Sequence, residues 1–256
     1  MISTDTLLVE REATGVVTLT FNRPQVRNAL DWATMEAFAR AVRALHEDEG
    51  LRVVILTGAG REAFCSGGDL NELHGYTSPA DGERLAALMG DALRDLERLP
   101  VPVVAAINGY AVGGGSEIAL ACDLRIADEA AQMGLIHLRL ALIPGWGAGQ
   151  RLLRLVGYAR AMEMMLAARP YPAAALHALG VVNQLAPPGE ALAVARALAS
   201  QVVEADPAAV RAIKALLQAG LNVPYDDALA AERALFPPLW ASQAHLEAVA
   251  RLVGRP

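Results

Sequence analysis

The hydrophobic positions in the first half of the chain form short continuous runs that alternate with amphipathic segments. Residues 53–56 and 103–107 are entirely apolar, which is typical of strands buried on both faces. Residues 32–47 have apolar positions at the helical period, and Asp31 is placed to cap that helix. The same patterns predict further strands at 7–9, 16–20 and 124–127 and further helices at 80–99 and 115–121. This alternation predicts an α/β core.

The pattern changes after about Pro144, where almost every apolar run has the helical period. The predicted helical segments are 150–155, 159–168, 190–204, 207–219 and the residues from 225 onward. One strand-like run, 181–185, is ended by the turn sequence Pro187-Pro188-Gly189. We therefore predict an α/β core over residues 1–190 and a helical C-terminal region over residues 191–256. The boundary has no long polar segment and is not a free linker.

Composition and charge exclude several classes of protein. The 256 residues are 54% hydrophobic and 20% charged, so the chain can bury a sizeable core and is not globally disordered. The formal net charge of −6 supplies no basic field, so we expect no nucleic-acid partner and no binding to an anionic membrane. The two cysteines are too few for a disulfide framework and fit a reducing cytoplasm.

The long uncharged run at 101–122 raises the question of a membrane span. It contains three consecutive glycines and Glu117, which a spanning helix rarely carries in its interior. We therefore predict a buried strand, a glycine-rich turn and a buried helix there. The first residues lack a basic segment followed by an apolar run, so no signal peptide is expected.

Two glycine-rich segments follow predicted buried strands, and neither contains a nucleotide-binding fingerprint. They are FCSGGDL at 64–70 and NGYAVGGGSE at 108–117. Glycine lets backbone N–H groups approach a bound group closely, and two such groups aimed at one oxygen form an oxyanion hole. Glu117 lies about one helical turn after Gly114, so its carboxyl could share a face with these amides. The alternative is that Glu117 only complements the helix dipole.

The chain resembles the enoyl-CoA hydratase/isomerase, or crotonase, superfamily in motifs that keep their order from about residue 6 to 250. The motifs are Asn22-Arg23-Pro24 with Asn28-Ala29-Leu30, the segments 64–70 and 108–117, Ala121-Cys122-Asp123, and Ile143-Pro144-Gly145-Trp146-Gly147 with Gln150-Arg151-Leu152. The resemblance implies a spiral of ββα units and a helical C-terminal region that builds trimers, often paired as hexamers. It also implies a coenzyme A thioester substrate and no metal or redox cofactor, since coenzyme A is part of the substrate.

The resemblance also implies the site residues. The amides of Gly68 and Gly114 should form the oxyanion hole, and Trp146 is expected among the substrate-binding residues. The residues expected to line the coenzyme A channel are Val26, Arg27, Ala29, Asp69, Leu70 and Asn71. Arg27 could meet a phosphate of coenzyme A or be a solvated loop residue. Asp69 could instead shape its own loop through local hydrogen bonds.

The two acid–base positions separate members of this family. Hydratases use two glutamates, of which the first matches Glu117 and the second falls at His137. The ethylmalonyl-type decarboxylases are similar in pairing a glutamate with a histidine at these positions. A second protein carboxylate about 4 Å from a malonyl-type substrate would repel its carboxylate by about 4 kcal/mol at an effective dielectric constant of 20, whereas a histidine can pair with it.

We therefore expect a lyase that decarboxylates a malonyl-type thioester. Hydration or isomerisation by Glu117 and His137 and hydrolysis of the thioester are alternatives within the enzymes. A binding protein that keeps the fold without the chemistry is an alternative of another class, and the lack of a Lys/Arg run argues against it. The acyl group, the choice of trimer or hexamer and the role of residues 236–240 stay open.

Overall fold

A computed structural model describes residues 3–254, and this range forms ten strands and eleven α-helices. The strands are β1 (Leu7–Arg11), β2 (Val16–Phe21), β3 (Val53–Gly58), β4 (Ala63–Cys65), β5 (Val103–Ile107), β6 (Tyr110–Val112), β7 (Leu124–Asp128), β8 (Gln132–Gly134), β9 (Tyr171–Pro172) and β10 (Gln184–Ala186). The helices are α1 (Trp32–His46), α2 (Leu70–Leu73), α3 (Pro79–Glu97), α4 (Gly114–Ala121), α5 (Ala148–Val156), α6 (Tyr158–Ala167), α7 (Ala173–Ala178), α8 (Ala191–Glu204), α9 (Pro207–Asn222), α10 (Tyr225–Trp240) and α11 (Gln243–Leu252). Two short 3-10 turns lie at Pro24–Val26 and His137–Leu140.

The strands form two sheets. The larger sheet has the order β1-β2-β3-β5-β7-β10, in which the consecutive strands β1 and β2 are antiparallel and the other neighbours are parallel. The smaller sheet has the order β4-β6-β8-β9, and its first three strands are parallel. Parallel strands joined by helices confirm the predicted α/β fold class.

Both faces of the larger sheet are covered. On one face, Phe21 contacts Phe38 of α1 and Phe64 of β4, with ring centroids 5.6 and 5.9 Å apart. On the other face, α8 packs its stripe of small residues, Ala191, Ala195 and Ala199, against the sheet. Small side chains at every fourth position let a helix approach a sheet closely. The division near residue 190 stays a prediction, and helix α8 beyond it lies against the sheet.

The sequence patterns predict the long elements well and the short ones poorly. Helix α1 begins after Asp31, whose carboxylate accepts a 2.8 Å hydrogen bond from the Thr34 N–H, as the cap prediction requires. The predicted strand at 181–185 is wrong in extent, because only Gln184–Ala186 pairs with β7. Val181 and Val182 are buried in the core, which explains the apolar run. Burial does not by itself imply strand pairing.

The glycine-rich segments contain regular structure. The first includes part of β4, and the second includes β6 and the start of α4. Runs of three residues bounded by glycine are too short to show the period-2 pattern of a strand. The uncharged run at 101–122 forms β5, β6 and α4, which agrees with the predicted strand, turn and helix. Within residues 3–254, no helix combines the length and hydropathy needed to span a bilayer.

The last three helices, α9–α11, form an arm that is tied to the core through α9. Lys214 is buried and donates to the Asp123 carboxylate at 2.6 Å and to the Val101 carbonyl at 2.9 Å. Burial raises the pKa of Asp123, and the Lys214 charge opposes that rise. In the described part of the chain, α10 and α11 bury no residue. The arm therefore presents large apolar side chains to the surface, among them Leu217, Leu221, Phe236, Trp240, Leu246 and Leu252.

Candidate active site

The two glycine-rich segments meet side by side. A Cβ atom added at Gly67, whose φ is +94°, would lie 2.9 Å from the Gly114 nitrogen. A Cβ atom at Gly115 would lie 1.9 Å from the Cys65 carbonyl oxygen. The close approach of the two backbones therefore requires glycine at both positions, because any side chain would overlap the opposite backbone.

The backbone N–H groups of Gly68 and Gly114 differ from the neighbouring ones in their hydrogen bonding. The neighbouring N–H of Asp69 donates to the Leu30 carbonyl at 2.8 Å, and the Gly113 N–H donates to the Gly134 carbonyl at 3.0 Å. Across residues 3–254, the Gly68 and Gly114 N–H groups have no protein acceptor. Unpaired backbone donors are normally satisfied by water or a ligand. The structure thus leaves two donors available on adjoining segments, at the two positions predicted from the resemblance.

Glu117 extends from the first turn of α4 into the protein interior. Its side chain is 2% exposed. One carboxylate oxygen, Oε2, accepts hydrogen bonds from the backbone N–H groups of Trp146 and Ala148 at 2.8 and 3.2 Å. The other, Oε1, lies 3.1 Å from Nε2 of His137. Glu117 therefore does more than complement the helix dipole, since its carboxylate binds a turn 29 residues further along the chain.

His137 begins the 3-10 turn that follows β8, and its side chain is 14% exposed. Its Nε2 atom faces Glu117, whereas its Nδ1 atom is buried and has no hydrogen-bond partner within residues 3–254. The pair forms a hydrogen bond when the imidazole is neutral with its proton on Nε2, and an ion pair when it is protonated. The structure thus brings together the two acid–base candidates that the sequence predicts.

Trp146 forms the wall next to Gly114. A Cβ atom added at Gly114 would lie only 2.2 Å from Cζ3 of the indole, so the ring packs directly on that backbone. Trp146 is itself buried, and its N–H holds Glu117. One residue therefore contacts both the backbone donor and the carboxylate of the candidate site. The backbone role of Trp146 has no signal in the sequence, because every residue type except proline supplies an N–H group.

Asp69 and Arg23 join the loops at the entrance of the site. The Arg23 guanidinium donates to Asp69 Oδ2 at 2.9 Å and to the Ala29 carbonyl at 2.6 Å, and it lies 3.2 Å from Asp31 Oδ2. The other Asp69 oxygen accepts from the Asn71 N–H at 3.1 Å. This geometry favours the loop-shaping interpretation of Asp69. Arg23 lies in one of the motifs that carry the resemblance, but its role in holding Asp69 has no local signal in the sequence because the two residues are 46 positions apart.

The remaining predicted channel residues surround these loops. Val26 ends a 3-10 turn and is half-buried, and Ala29 is buried. Leu70 and Asn71 are exposed at the start of α2. Arg27 is exposed, and its Nε lies 2.5 Å from Oε1 of Glu62. These positions are on one rim of the site, and their contacts with a substrate stay a prediction.

The two cysteines are buried core residues without a disulfide bond. Burial raises the pKa of both the Cys65 and the Cys122 thiol to about 12. A thiol with such a pKa carries almost no thiolate at neutral pH, so neither residue is a nucleophile.

Comparisons with known proteins identify the family. A family model described as enoyl-CoA hydratase/isomerase matches residues 11–252. A short-chain-enoyl-CoA hydratase of Clostridium acetobutylicum is 34% identical over 96% of this chain and 94% of its own length. An ethylmalonyl-CoA decarboxylase of Gallus gallus is 33% identical over 95% of this chain and 82% of its own length.

Solved structures of known proteins have the same fold. The crystal structure of an enoyl-CoA hydratase from Bacillus anthracis superimposes with a TM-score of 0.92 at 35% identity, and the match covers 98% of this chain and 97% of that chain. The family match over almost the whole chain, the fold and the motifs lead to one conclusion: the chain belongs to the enoyl-CoA hydratase/isomerase (crotonase) superfamily of acyl-CoA enzymes.

Proposed function

We propose that the chain is a lyase that decarboxylates a malonyl-type acyl-CoA thioester, with the Gly68 and Gly114 amides as its oxyanion hole. The observation that carries the proposal is the 3.1 Å contact between His137 Nε2 and Glu117 Oε1. It places one carboxylate and one imidazole where a family hydratase would have two carboxylates.

The charges favour a substrate that brings its own carboxylate. A second carboxylate at the position of His137 would repel that group by about 4 kcal/mol at 4 Å and an effective dielectric constant of 20. A protonated His137 attracts it instead.

The reaction needs only groups that this site supplies. The bond between the α-carbon and the carboxylate breaks, CO₂ leaves, and the electron pair forms the thioester enolate. The two glycine N–H groups stabilise the enolate oxygen, and such donors are typically worth about 10²–10³ in rate each. The His137–Glu117 pair then delivers one proton to the α-carbon and is reprotonated from solvent. The product is the acyl-CoA one carboxyl group shorter.

Hydration of an enoyl-CoA is the second candidate. Two observations favour it: the relatives named above include enoyl-CoA hydratases, and Glu117 and His137 together supply the two groups that this reaction needs. One group would take a proton from water while the other gives a proton to the α-carbon. Here the histidine would replace the second carboxylate as a proton carrier.

The test is to incubate the purified protein with crotonyl-CoA, methylmalonyl-CoA and ethylmalonyl-CoA and to follow each thioester by mass spectrometry. We expect loss of CO₂ from a malonyl-type thioester. Addition of water to crotonyl-CoA alone would overturn the proposal in favour of hydration. Binding without conversion of any thioester would support the non-catalytic alternative.

A variant sharpens this test. His137→Glu restores two carboxylates, and we expect it to lower the decarboxylation rate by up to about 10³-fold, the factor that 4 kcal/mol represents. His46→Gln is the control, because His46 is an exposed residue whose ring contacts only the Asp95 carbonyl in the described range. A His137→Glu enzyme that decarboxylates as fast as the parent would contradict the electrostatic argument.

We also propose that the chain assembles as a homotrimer, alone or paired as a hexamer. Two separate apolar surfaces support this. One is the arm, and the other surrounds the turn after His137 and helix α6, with Leu138, Leu142, Ile143, Tyr158 and Leu166 exposed. Exposed apolar patches of this extent are typical of protein interfaces. Sedimentation velocity should give a mass of three or six times 27.0 kDa, and a monomer would overturn this proposal.

A further inference from the structure

The turn at 144–148 contacts the candidate site at two points and a charged pair outside it at a third. Trp146 and Ala148 direct their N–H groups at Glu117, and the indole covers Gly114. On the other side, the Trp146 carbonyl accepts a 2.7 Å hydrogen bond from Nη1 of Arg151. This turn therefore connects the site with Arg151, which itself has no contact with Glu117 or Gly114 among the hydrogen bonds and ion pairs of residues 3–254.

Three consecutive peptide groups alternate in direction along this turn. The first and third, which end in the N–H groups of Trp146 and Ala148, face the Glu117 carboxylate. The middle one presents its carbonyl oxygen to Arg151. Gly147, at the C-terminal end of this middle peptide, has a φ of +100°, which is strained for any other residue. A rotation of the middle peptide would turn one or both N–H groups away from Glu117.

Arg151 is itself held firmly. Its Nε and Nη2 atoms each lie 2.7 Å from one oxygen of Glu97, so the pair is bidentate. The Arg151 side chain is 11% exposed, and the guanidinium lies so close to the turn that a Cβ atom added at Gly147 would be 2.8 Å from Nη1. Bidentate charged pairs combine strength with a defined geometry. Glu97 thus anchors the guanidinium to the last turn of α3.

We propose that Arg151 and Glu97 are a positioning pair for the reaction. They fix the middle peptide of the 144–148 turn so that the Trp146 and Ala148 N–H groups hold Glu117 and the indole holds the wall beside Gly114. The inference depends on the proposed function only in that Glu117 acts on the substrate, and it applies to decarboxylation and to hydration alike. Misplacement of reacting groups by about 1 Å can cost about 10²-fold in rate.

The competing role is a structural one, in which the pair only ties α3 to α5. The two roles differ in what they change. A structural tie affects the free energy of unfolding, and the fraction of folded enzyme accounts for any loss of activity. Loss of a positioning pair lowers kcat in fully folded enzyme, leaves KM nearly unchanged and changes the surroundings of the Trp146 side chain.

The experiment compares Arg151→Lys, Glu97→Gln and the double variant with the parent protein. Lys keeps the charge but cannot make both bonds to Glu97 and the bond to the Trp146 carbonyl. We expect each single variant to lower kcat by about 10- to 100-fold with KM changed less than about threefold. The double variant should lose little more than Arg151→Lys alone, because residues that act as a unit are not additive. Asp91→Asn is the control, since the exposed Asp91–Arg94 pair lies on the same helix, α3.

A second readout does not need turnover. Protein labelled with 5-fluorotryptophan gives one ¹⁹F resonance for each of its three tryptophans, and Trp→Phe variants assign them. We expect Arg151→Lys and Glu97→Gln to shift the Trp146 resonance and to leave those of Trp32 and Trp240 in place. An unmoved Trp146 resonance overturns the proposal, and so does a kcat loss that the folded fraction explains. The kinetic part uses whichever thioester the parent converts, so failure of the decarboxylase proposal remains a separate result.

Discussion

The core and the arm differ in how far they bury their apolar side chains. All six residues of β3 are buried by other parts of the same chain, and so is the whole of α4, which carries Gly114 and Glu117. The arm's helices α10 and α11 are longer than α4, yet they bury none of their described residues. The difference shows that Gly114 and Glu117 are buried within the single chain, whereas the arm leaves large apolar side chains at its surface.

The largest expected effect is the difference between two glycine-to-alanine substitutions, one in the core at Gly114 and one in the arm at Gly220. Gly114→Ala places a methyl group against the Trp146 indole, so we expect a loss of about 10²–10³ in rate and about 1–3 kcal/mol of stability. Gly220→Ala in α9 meets no atom within 4 Å, and we expect up to about 1 kcal/mol of stabilisation with unchanged kinetics. Steady-state kinetics and urea unfolding measure both effects. Full activity in Gly114→Ala would contradict the close packing at the site.

The next-largest effect concerns the ion pair between Lys214 of the arm and Asp123 of the core. Lys214→Met removes the cation that compensates the Asp123 carboxylate, which is only partly buried at 26% exposure, so we expect a loss of about 2 kcal/mol, below that of a fully buried pair. The double variant Asp123→Asn/Lys214→Met leaves no charge unpaired and should recover much of this loss. Denaturant unfolding followed by circular dichroism measures the difference. If Lys214→Met is as stable as the parent, then other contacts attach the arm.

A smaller effect tests the exposed face of the arm. Leu217 is 60% exposed, and Leu217→Glu should disrupt the proposed trimer while changing the stability of the separate chain by no more than about 0.5 kcal/mol. Gln201→Glu, on the exposed side of α8, adds the same charge away from the arm and should leave the assembly intact. Sedimentation velocity distinguishes the two. An intact trimer in Leu217→Glu would mean that this face of the arm is not the interface.

The smallest effect lies at the edge of the core. The hydrogen-bonded Arg11 guanidinium lowers the pKa of Asp48 below its ordinary value. A lowered folded-state pKa adds stability above the ordinary carboxylate pKa of about 3.9, and this stability is lost as the pH falls through the folded-state value. Because the pair is partly exposed, Asp48→Asn should cost under about 1 kcal/mol at pH 7 and nothing in strong acid. The measurement is the free energy of unfolding of parent and variant at several pH values. A difference between the two proteins that stays constant from pH 7 to pH 2 would contradict this prediction.

The sequence by itself determined the regular elements and the identity of the candidate site residues. Continuous apolar runs, a helical period and the Asp31 cap predict β3, β5 and α1, because each depends on local patterning. The motifs identified Gly68, Gly114, Glu117 and His137 through their resemblance to a family. They did so without indicating which atoms would meet.

The tertiary structure alone decided how the site is held. The Trp146 N–H reaches Glu117 across 29 positions, Arg23 reaches Asp69 across 46, and Arg151 reaches Glu97 across 54. The short strands β4 and β6 likewise exist only because they pair with each other and with β8. Local patterns report burial and periodicity within a few turns. Contacts between distant segments arise only when the whole core has packed, and backbone donors carry no side-chain signal at all.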